Sequence, residues 1–280
     1  MPAVTRDAAS VILLRDGSSQ GSIEILMVRR HARSDFAGDM HVFPGGGVEE
    51  SDCEEDMAGL CAGIGPEGAM SIIGDAPSPA RALGFFVAGI RETFEEAGIL
   101  LAREASGELV SCKGKRAARF ATFRAAIKDE QLSFEEMIAR EGLKLAVDRL
   151  VYFAHWITPE LFPIRFDTRF FLAPAPPHQN ALHDNVETTD HLWITPQEAL
   201  ERNERGSFSM LPPTMINLGA LAPFSTVEDA LTSAEGEDVP VIFPKVSFEG
   251  GRVRLLLPED PDYLRSSSPL QKASQAQSRL

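Results

Sequence analysis

The chain has 280 residues, 44% hydrophobic and 24% charged, a composition that suits a globular protein with a substantial core. Its 41 acidic and 27 basic residues leave a formal charge of −14, which argues against holding a nucleic-acid polymer through its phosphates. A small polyphosphate stays open, because a bound cation inverts the local charge.

No run of 18 apolar residues occurs, so neither a spanning helix nor a membrane partner is expected. Residues 1–10 lack a basic stretch followed by an apolar one, so no secretory leader is expected. Three cysteines, Cys53, Cys61 and Cys112, suit a reducing compartment, and the expected location is cytoplasmic.

Residues 8–14 predict a first strand, β-branched at Val11 and Ile12, and residues 23–29 a second that pairs with it as a hairpin. A short strand at 41–43 runs into Pro44-Gly45-Gly46-Gly47, which reads as a flexible glycine turn that lets the backbone approach a ligand closely. A helix is expected over about 79–97, stopped by Gly98, and then a short strand at 99–102. Residues 107–142 predict a helical excursion, apolar at Phe120, Phe134, Met137 and Ile138, which could supply the interface of a homodimer.

Strands follow at 147–156 and 164–172. In the second, alternation puts Phe166, Thr168 and Phe170 on one face and Arg165, Asp167 and Arg169 on the other. A proline-rich loop at 174–184 leads to a strand at 186–194. Thr195-Pro196-Gln197-Glu198 then starts a helix with a cap, a proline at its first position and a first-turn acid. Helices near 213–221 and 226–231 and strands at 241–243 and 253–257 complete the reading. The Ser/Gln-rich tail from residue 266 is predicted to be disordered. Strands and helices mixed in this way suggest an α/β/α sandwich, expected as a single domain over 8–265.

The chemistry concentrates in Arg91-Glu92-Thr93-Phe94-Glu95-Glu96-Ala97-Gly98-Ile99. Glu92, Glu95 and Glu96 are three and four positions apart, so a helix puts them on one face. Three carboxylates so close repel one another, whereas a hard divalent cation such as Mg²⁺ turns them into a site and bridges them to substrate phosphates. Arg91, four positions before Glu95, is placed to hold that side chain.

This pattern resembles the signature of the Nudix hydrolase family: a glycine, five residues, an acid, seven residues, then Arg-Glu-apolar-x-Glu-Glu-x-Gly-apolar. Gly46 matches the glycine, Asp52 stands where the family usually has Glu, and Thr93 occupies the usually apolar position. The spacing departs: 38 residues separate Asp52 from Arg91, an insertion of about 31 at 53–83. So long a loop is expected to be either a lid or specificity element or a tolerated surface insertion, and Asp52, followed directly by it, is expected to have lost its ancestral role.

The resemblance implies a mixed-sheet α/β/α sandwich and cleavage of a pyrophosphate with Mg²⁺ or Mn²⁺. It implies Glu95 and Glu96 as principal metal ligands, Glu92 as ligand or water-activating group, Arg91 as the orienter of Glu95, and the Gly46 carbonyl as a further ligand. An additional acid from a later loop is expected, Glu187 first, with Asp190 and Asp184 behind it. Gly45 and Gly46 are candidates for substrate contact. Arg29, Arg165 and Arg169 are candidates for phosphate contact, since guanidinium forks suit phosphate oxygens; the last two are read rather as ion pairs with Asp167.

The insertion, Trp156-Ile157-Thr158-Pro159, residues 165–171 and Pro258-Glu259-Asp260-Pro261-Asp262-Tyr263 resemble one subgroup, that of the peroxisomal coenzyme A diphosphatase of the Nudix-19 type and its bacterial relatives. It implies coenzyme A or an acyl-coenzyme A as substrate, giving 3′,5′-ADP and 4′-phosphopantetheine. The alternatives are a Nudix pyrophosphatase for NADH or ADP-ribose, and a silent nucleotide-sensing domain. Ser278-Arg279-Leu280 resembles a peroxisomal address, which gives the alternative location in a eukaryotic chain.

Overall fold

A computed structural model describes residues 3–18, 21–32, 37–182, 188–249 and 252–263. The longest strand, β1 (Thr5–Asp16), is buried without a break from Ala8 to Leu14, as a strand covered on both faces must be. It runs antiparallel to β2 (Ile23–Arg30), which pairs in turn with β3 (His41–Val42). The glycines predicted as a turn are instead a strand, β4 (Gly45–Gly47), hydrogen-bonded antiparallel to β1 at Ala8–Ser10.

The insertion is not a structureless loop. A turn of 3₁₀ helix at Ser51–Cys53 leads to α1 (Glu55–Gly59) and α2 (Pro66–Ile73), and α2 packs on α3 (Pro79–Ala97). Ser78 Oγ accepts from Arg81 N at 3.1 Å to cap α3, and Gly98, at φ 68°, ends it in the left-handed region. The strand expected at 99–102 shrinks to β5 (Ala102–Arg103), which pairs with β6 (Lys144–Leu145). The physical reason is Gln179, whose amide takes the strand-partner role at Leu100: Leu100 N donates to Oε1 and Nε2 donates to Leu100 O, both at 2.9 Å.

The excursion is two helices, α4 (Lys115–Lys128) and α5 (Phe134–Arg140), with 107–114 non-helical between two positive-φ glycines, Gly107 and Gly114. Its apolar residues Phe120, Phe134, Met137 and Ile138 are spent on this chain's own core beside α3.

The remaining strands are β7 (Val151–Ile157), β8 (Arg165–Pro174), β9 (Thr188–Ile194) and β10 (Val241–Ile242). They complete a mixed sheet in the order β10-β7-β8-β1-β2-β3, with β4 on β1 and β9 on β2. β8 is parallel to β1 over ten registered pairs, from Thr5 opposite Arg165 to Leu14 opposite Pro174. One face of the sheet carries α3 and its Phe85, Phe86 and Phe94. The other is covered by α6 (Pro196–Glu204), α7 (Pro212–Leu221) and α8 (Val227–Ala234), packed against Ile12, Leu14, Trp156 and Phe170.

The predicted strand at 253–257 is part of a hairpin that sequence reading saw only half of, β11 (Lys245–Glu249) with β12 (Arg252–Leu256). The tail from 266, with Ser278-Arg279-Leu280, lies outside the described residues.

Candidate active site

The helix α3 brings Arg91, Glu92, Glu95 and Glu96 to the edge of β4. Arg91 is 5% exposed and spends its whole fork. Nε and Nη2 donate to the two oxygens of Asp52 at 2.9 and 3.0 Å, Nη2 donates to Gly47 O at 2.8 Å, and Nη1 donates to Glu92 Oε1 at 2.9 Å and Glu95 Oε1 at 3.4 Å. Burial alone would lower the Arg91 pKa; the hydrogen bonds to Asp52 and the charges of Glu92, Asp52 and Glu95 outweigh it and hold the pKa above the ordinary arginine value.

One expectation is corrected here. Asp52 keeps a structural role: it is 2% exposed, holds Arg91 bidentately and accepts from Glu49 N at 2.8 Å. The insertion leaves it undisturbed because the chain departs only after the turn at Ser51–Cys53. Arg91, in turn, orients Glu92 at a shorter distance than Glu95.

Glycine is required in β4 by close approach, not by a turn. A Cβ on Gly46 would lie 2.5 Å from the Glu92 carboxylate, and one on Gly45 would lie 2.5 Å from Ala9 O. The missing side chain lets Glu92 reach past the strand. Gly45 N donates to Glu96 Oε2 at 3.0 Å, and Glu96 Oε1 is 3.8 Å from Arg30 Nη1. Glu92, Glu96, Arg30 and the three glycines line a cavity of about 440 Å³ that continues under Phe43, Phe166 and Phe170. Glu95 and Arg91 stand behind that lining.

Several expected residues lie elsewhere. Arg29 pairs with Asp39 at 2.7 Å and does not line the cavity, whereas Arg30 does. Successive strand residues face opposite ways, and the pairing of β2 with β9 shifts register between Arg29 and Arg30, so no local signal told them apart. Arg165 donates to Thr158 O and Ala3 O, at 3.0 and 2.8 Å, and is a structural tie rather than a partner of Asp167. Arg169 does pair with Asp167, and also with Asp75 of the insertion at 3.0 Å, away from the cavity. Asp190 is exposed and accepts from its neighbour His191 N. Glu187 and Asp184 lie outside the described residues. No residue of 53–83 lines the cavity.

Sequence reading also missed Arg124 of α4. Its Nε donates to Glu95 O and its Nη1 to Leu182 O, both at 2.7 Å, tying the carboxy-terminal end of α3 to the chain that leads toward β9. Burial lowers its pKa to about 10 against the opposing pull of Glu96 and Glu95.

Among the described residues no three His, Cys, Asp or Glu side chains converge as a preformed metal cage. The donor chemistry nevertheless fits a hard divalent cation. Glu92 and Glu95 meet at one Arg91 nitrogen, Glu96 stands one turn away, and each carboxylate has up to four acceptor directions. Mg²⁺ is ordinarily held by one or two carboxylates together with substrate oxygens, so a complete protein cage is not needed.

The NUDT19 Nudix domain family matches residues 5–221. The chain belongs to the Nudix hydrolase family. This Nudix hydrolase is 30% identical over 312 residues to acyl-coenzyme A diphosphatase NUDT19 of Gallus gallus, covering 92% of this chain and 81% of that protein. It is 25% identical over 316 residues to the Homo sapiens protein of the same name, covering 96% and 83%. Its fold is also that of a solved NUDIX hydrolase from Alicyclobacillus acidocaldarius, with TM-score 0.62 and 26% identity over 82% of this chain and 96% of that one.

Proposed function

We propose that this Nudix hydrolase cleaves the diphosphate of coenzyme A or an acyl-coenzyme A, releasing 3′,5′-ADP and 4′-phosphopantetheine or its S-acyl form. The observation that carries the reading is one cavity joining the Glu92 and Glu96 carboxylates to a long apolar chamber. The names of the relatives support the same substrate.

Glu92, Glu95 and Glu96, with the Gly46 carbonyl, would hold Mg²⁺ or Mn²⁺. Such a cation, when bound, neutralises charge on the phosphoryl oxygens and lowers the pKa of the attacking water. Glu92, set against the Gly46 backbone, accepts the proton of that water. Arg91 keeps Glu92 and Glu95 in place, and Asp52 keeps Arg91 in place. The side-chain-free face of Gly45–Gly47 lets the diphosphate lie against the strand. Arg30, whose Nε is buried without a hydrogen-bond partner among the described residues, supplies a guanidinium to the phosphate oxygens.

The test is product analysis by mass after incubation with coenzyme A, acetyl-coenzyme A, NADH, ADP-ribose and nucleoside triphosphates in Mg²⁺ or Mn²⁺. Bisphosphorylated adenosine with phosphopantetheine is the expected result. AMP from NADH or ADP-ribose, with coenzyme A untouched, would keep the hydrolase and overturn its substrate. Nucleotide binding without turnover, unchanged in Glu96→Gln, would make the domain a sensor.

A further inference from the structure

The cavity does not end at the carboxylates. It crosses the sheet from β4 over Ala8 and Ser10 of β1, then Phe166 and Phe170 of β8, to Trp156 of β7, and its far wall is Pro244 and Leu255. Strands lie about 4.8 Å apart, so β7, three steps from β4, is roughly 14 Å from the glycines, and β10, one step further, is roughly 19 Å away.

The two ends differ in chemistry. Among the described residues Arg30, Glu92 and Glu96 are the charged lining residues, and all three cluster at the glycine end. The far end offers aromatic, proline and leucine surfaces, with the hydroxyls of Thr158, Thr168 and Thr214 between them.

Leu255 belongs to the carboxy-terminal hairpin and Pro244 immediately precedes it, both beyond residue 221 where the family match stops. That hairpin is held firmly. Tyr263 Oη donates to Phe243 O at 2.7 Å, Lys245 Nζ donates to Tyr263 O at 2.9 Å, and the Arg165 guanidinium lies over the Phe243 ring. Val246, the cross-strand partner of Leu255, and Leu256 on the opposite face are both buried.

We infer that this hairpin wall is the binding site for the acyl chain on a pantetheine arm, and that Leu255 sets the chain length the enzyme prefers. The inference rests on the coenzyme A reading above. A pantetheine arm joins diphosphate to sulfur through about a dozen skeletal bonds, as many as four peptide residues, which span roughly 14 Å when extended. With the diphosphate against Gly45–Gly47, the sulfur reaches β7, and the group it carries meets Pro244 and Leu255. An adenosine placed there would bury ring nitrogens and ribose hydroxyls against proline and phenylalanine, leaving them short of partners. The two amides of a pantetheine arm instead pass the three threonine hydroxyls. Phe162, 41% exposed, lines the same cavity and its neighbour Leu161 is 50% exposed, an apolar lip over which a longer chain would pass.

Two measurements test this. The first compares kcat/KM for coenzyme A and its acetyl, hexanoyl and decanoyl thioesters in the parent protein, Leu255→Trp and Leu255→Ala. Parent kcat/KM should rise about fourfold per methylene while the chain contacts the wall. Leu255→Trp should cut decanoyl turnover at least tenfold through KM while leaving coenzyme A within twofold, and Leu255→Ala should move the optimum to a longer chain. Equal parent values for all four substrates, or an equal loss on all four in both variants, would overturn the inference.

The second is calorimetric titration with S-decanoyl-pantetheine, which has no phosphate and reports the chamber alone. Binding by the parent, weakened tenfold in Leu255→Trp, upholds the wall even if coenzyme A proves not to be cleaved, in which case only the substrate reading falls. No binding by the parent overturns the wall, whatever the protein cleaves.

Discussion

Arg91 and Arg169 are both buried arginines on which carboxylates converge, yet they serve opposite ends. Around Arg169 each carboxylate has its partner: Asp167 and Asp75 both meet Arg169, His155 Nε2 is 2.6 Å from Asp167, and the guanidinium stacks 4.3 Å over Phe85. The pairing ties the end of the insertion to the sheet. Around Arg91 the acids are in excess. Asp52 satisfies it bidentately, and Glu92, Glu95 and Glu96 remain crowded beside a cavity. A buried ion pair alone therefore says little about function; an excess of one charge at a concave, glycine-lined surface says much more.

Removing one carboxylate should break the comparison most sharply. Glu96→Gln keeps an acceptor for Gly45 N but loses the charge, and kcat should fall on the order of 10⁴-fold with little change in melting temperature. Steady-state kinetics beside a thermal melt read both. Arg91→Met should cost about 3–5 kcal/mol of stability, because it strands the buried Asp52 carboxylate, and Arg169→Met should cost less, because Asp75 is half-exposed and Asp167 keeps His155. The folded fraction should separate them: Arg169→Met should retain kcat/KM within about threefold, and Arg91→Met should lose most of it, since Glu92 and Glu95 lose their shared anchor. Equal activities in the two variants, measured on folded protein at low temperature, would erase the distinction.

Gly46→Ala is a smaller change with a specific target. Its Cβ would meet Glu92 at 2.5 Å, so the carboxylate must move, and kcat should drop about 100-fold. Arg30→Gln should act mainly on KM, raising it about tenfold through loss of a charge-assisted phosphate contact, with Arg29→Gln as the comparison that leaves KM nearly unchanged. An equal effect at both positions would show that the bulge between them does not decide which arginine faces the substrate.

Much of the site was legible because its signals are local. The spacing of Glu92, Glu95 and Glu96 needs only a helical period, and Pro79 and Gly98 mark that helix by their own backbone constraints. The alternation of Phe166, Thr168 and Phe170 needs only a pleat, and the cavity is lined by those three. Thr195-Pro196 likewise announced α6, and Thr195 Oγ accepts from Glu198 N at 3.2 Å. The less legible features are long-range. Asp52 and Arg91 meet across 39 positions, and Gln179 reaches Leu100 across 79, at distances where chain order carries no geometric information.

The sequence by itself determined the charged helix, because periodicity and backbone constraints act within a few residues, and its resemblance to the Nudix signature carried the family and the reaction type. Only the tertiary structure decided that Gly45–Gly47 is a strand, since its partner lies in β1 more than thirty residues earlier. It decided that Arg30 rather than Arg29 faces the cavity, because a register shift against β9 turns the strand there. It also brought Pro244 and Leu255 into the same cavity lining as Trp156, because β10, which leads into Pro244, pairs with β7 at Trp156.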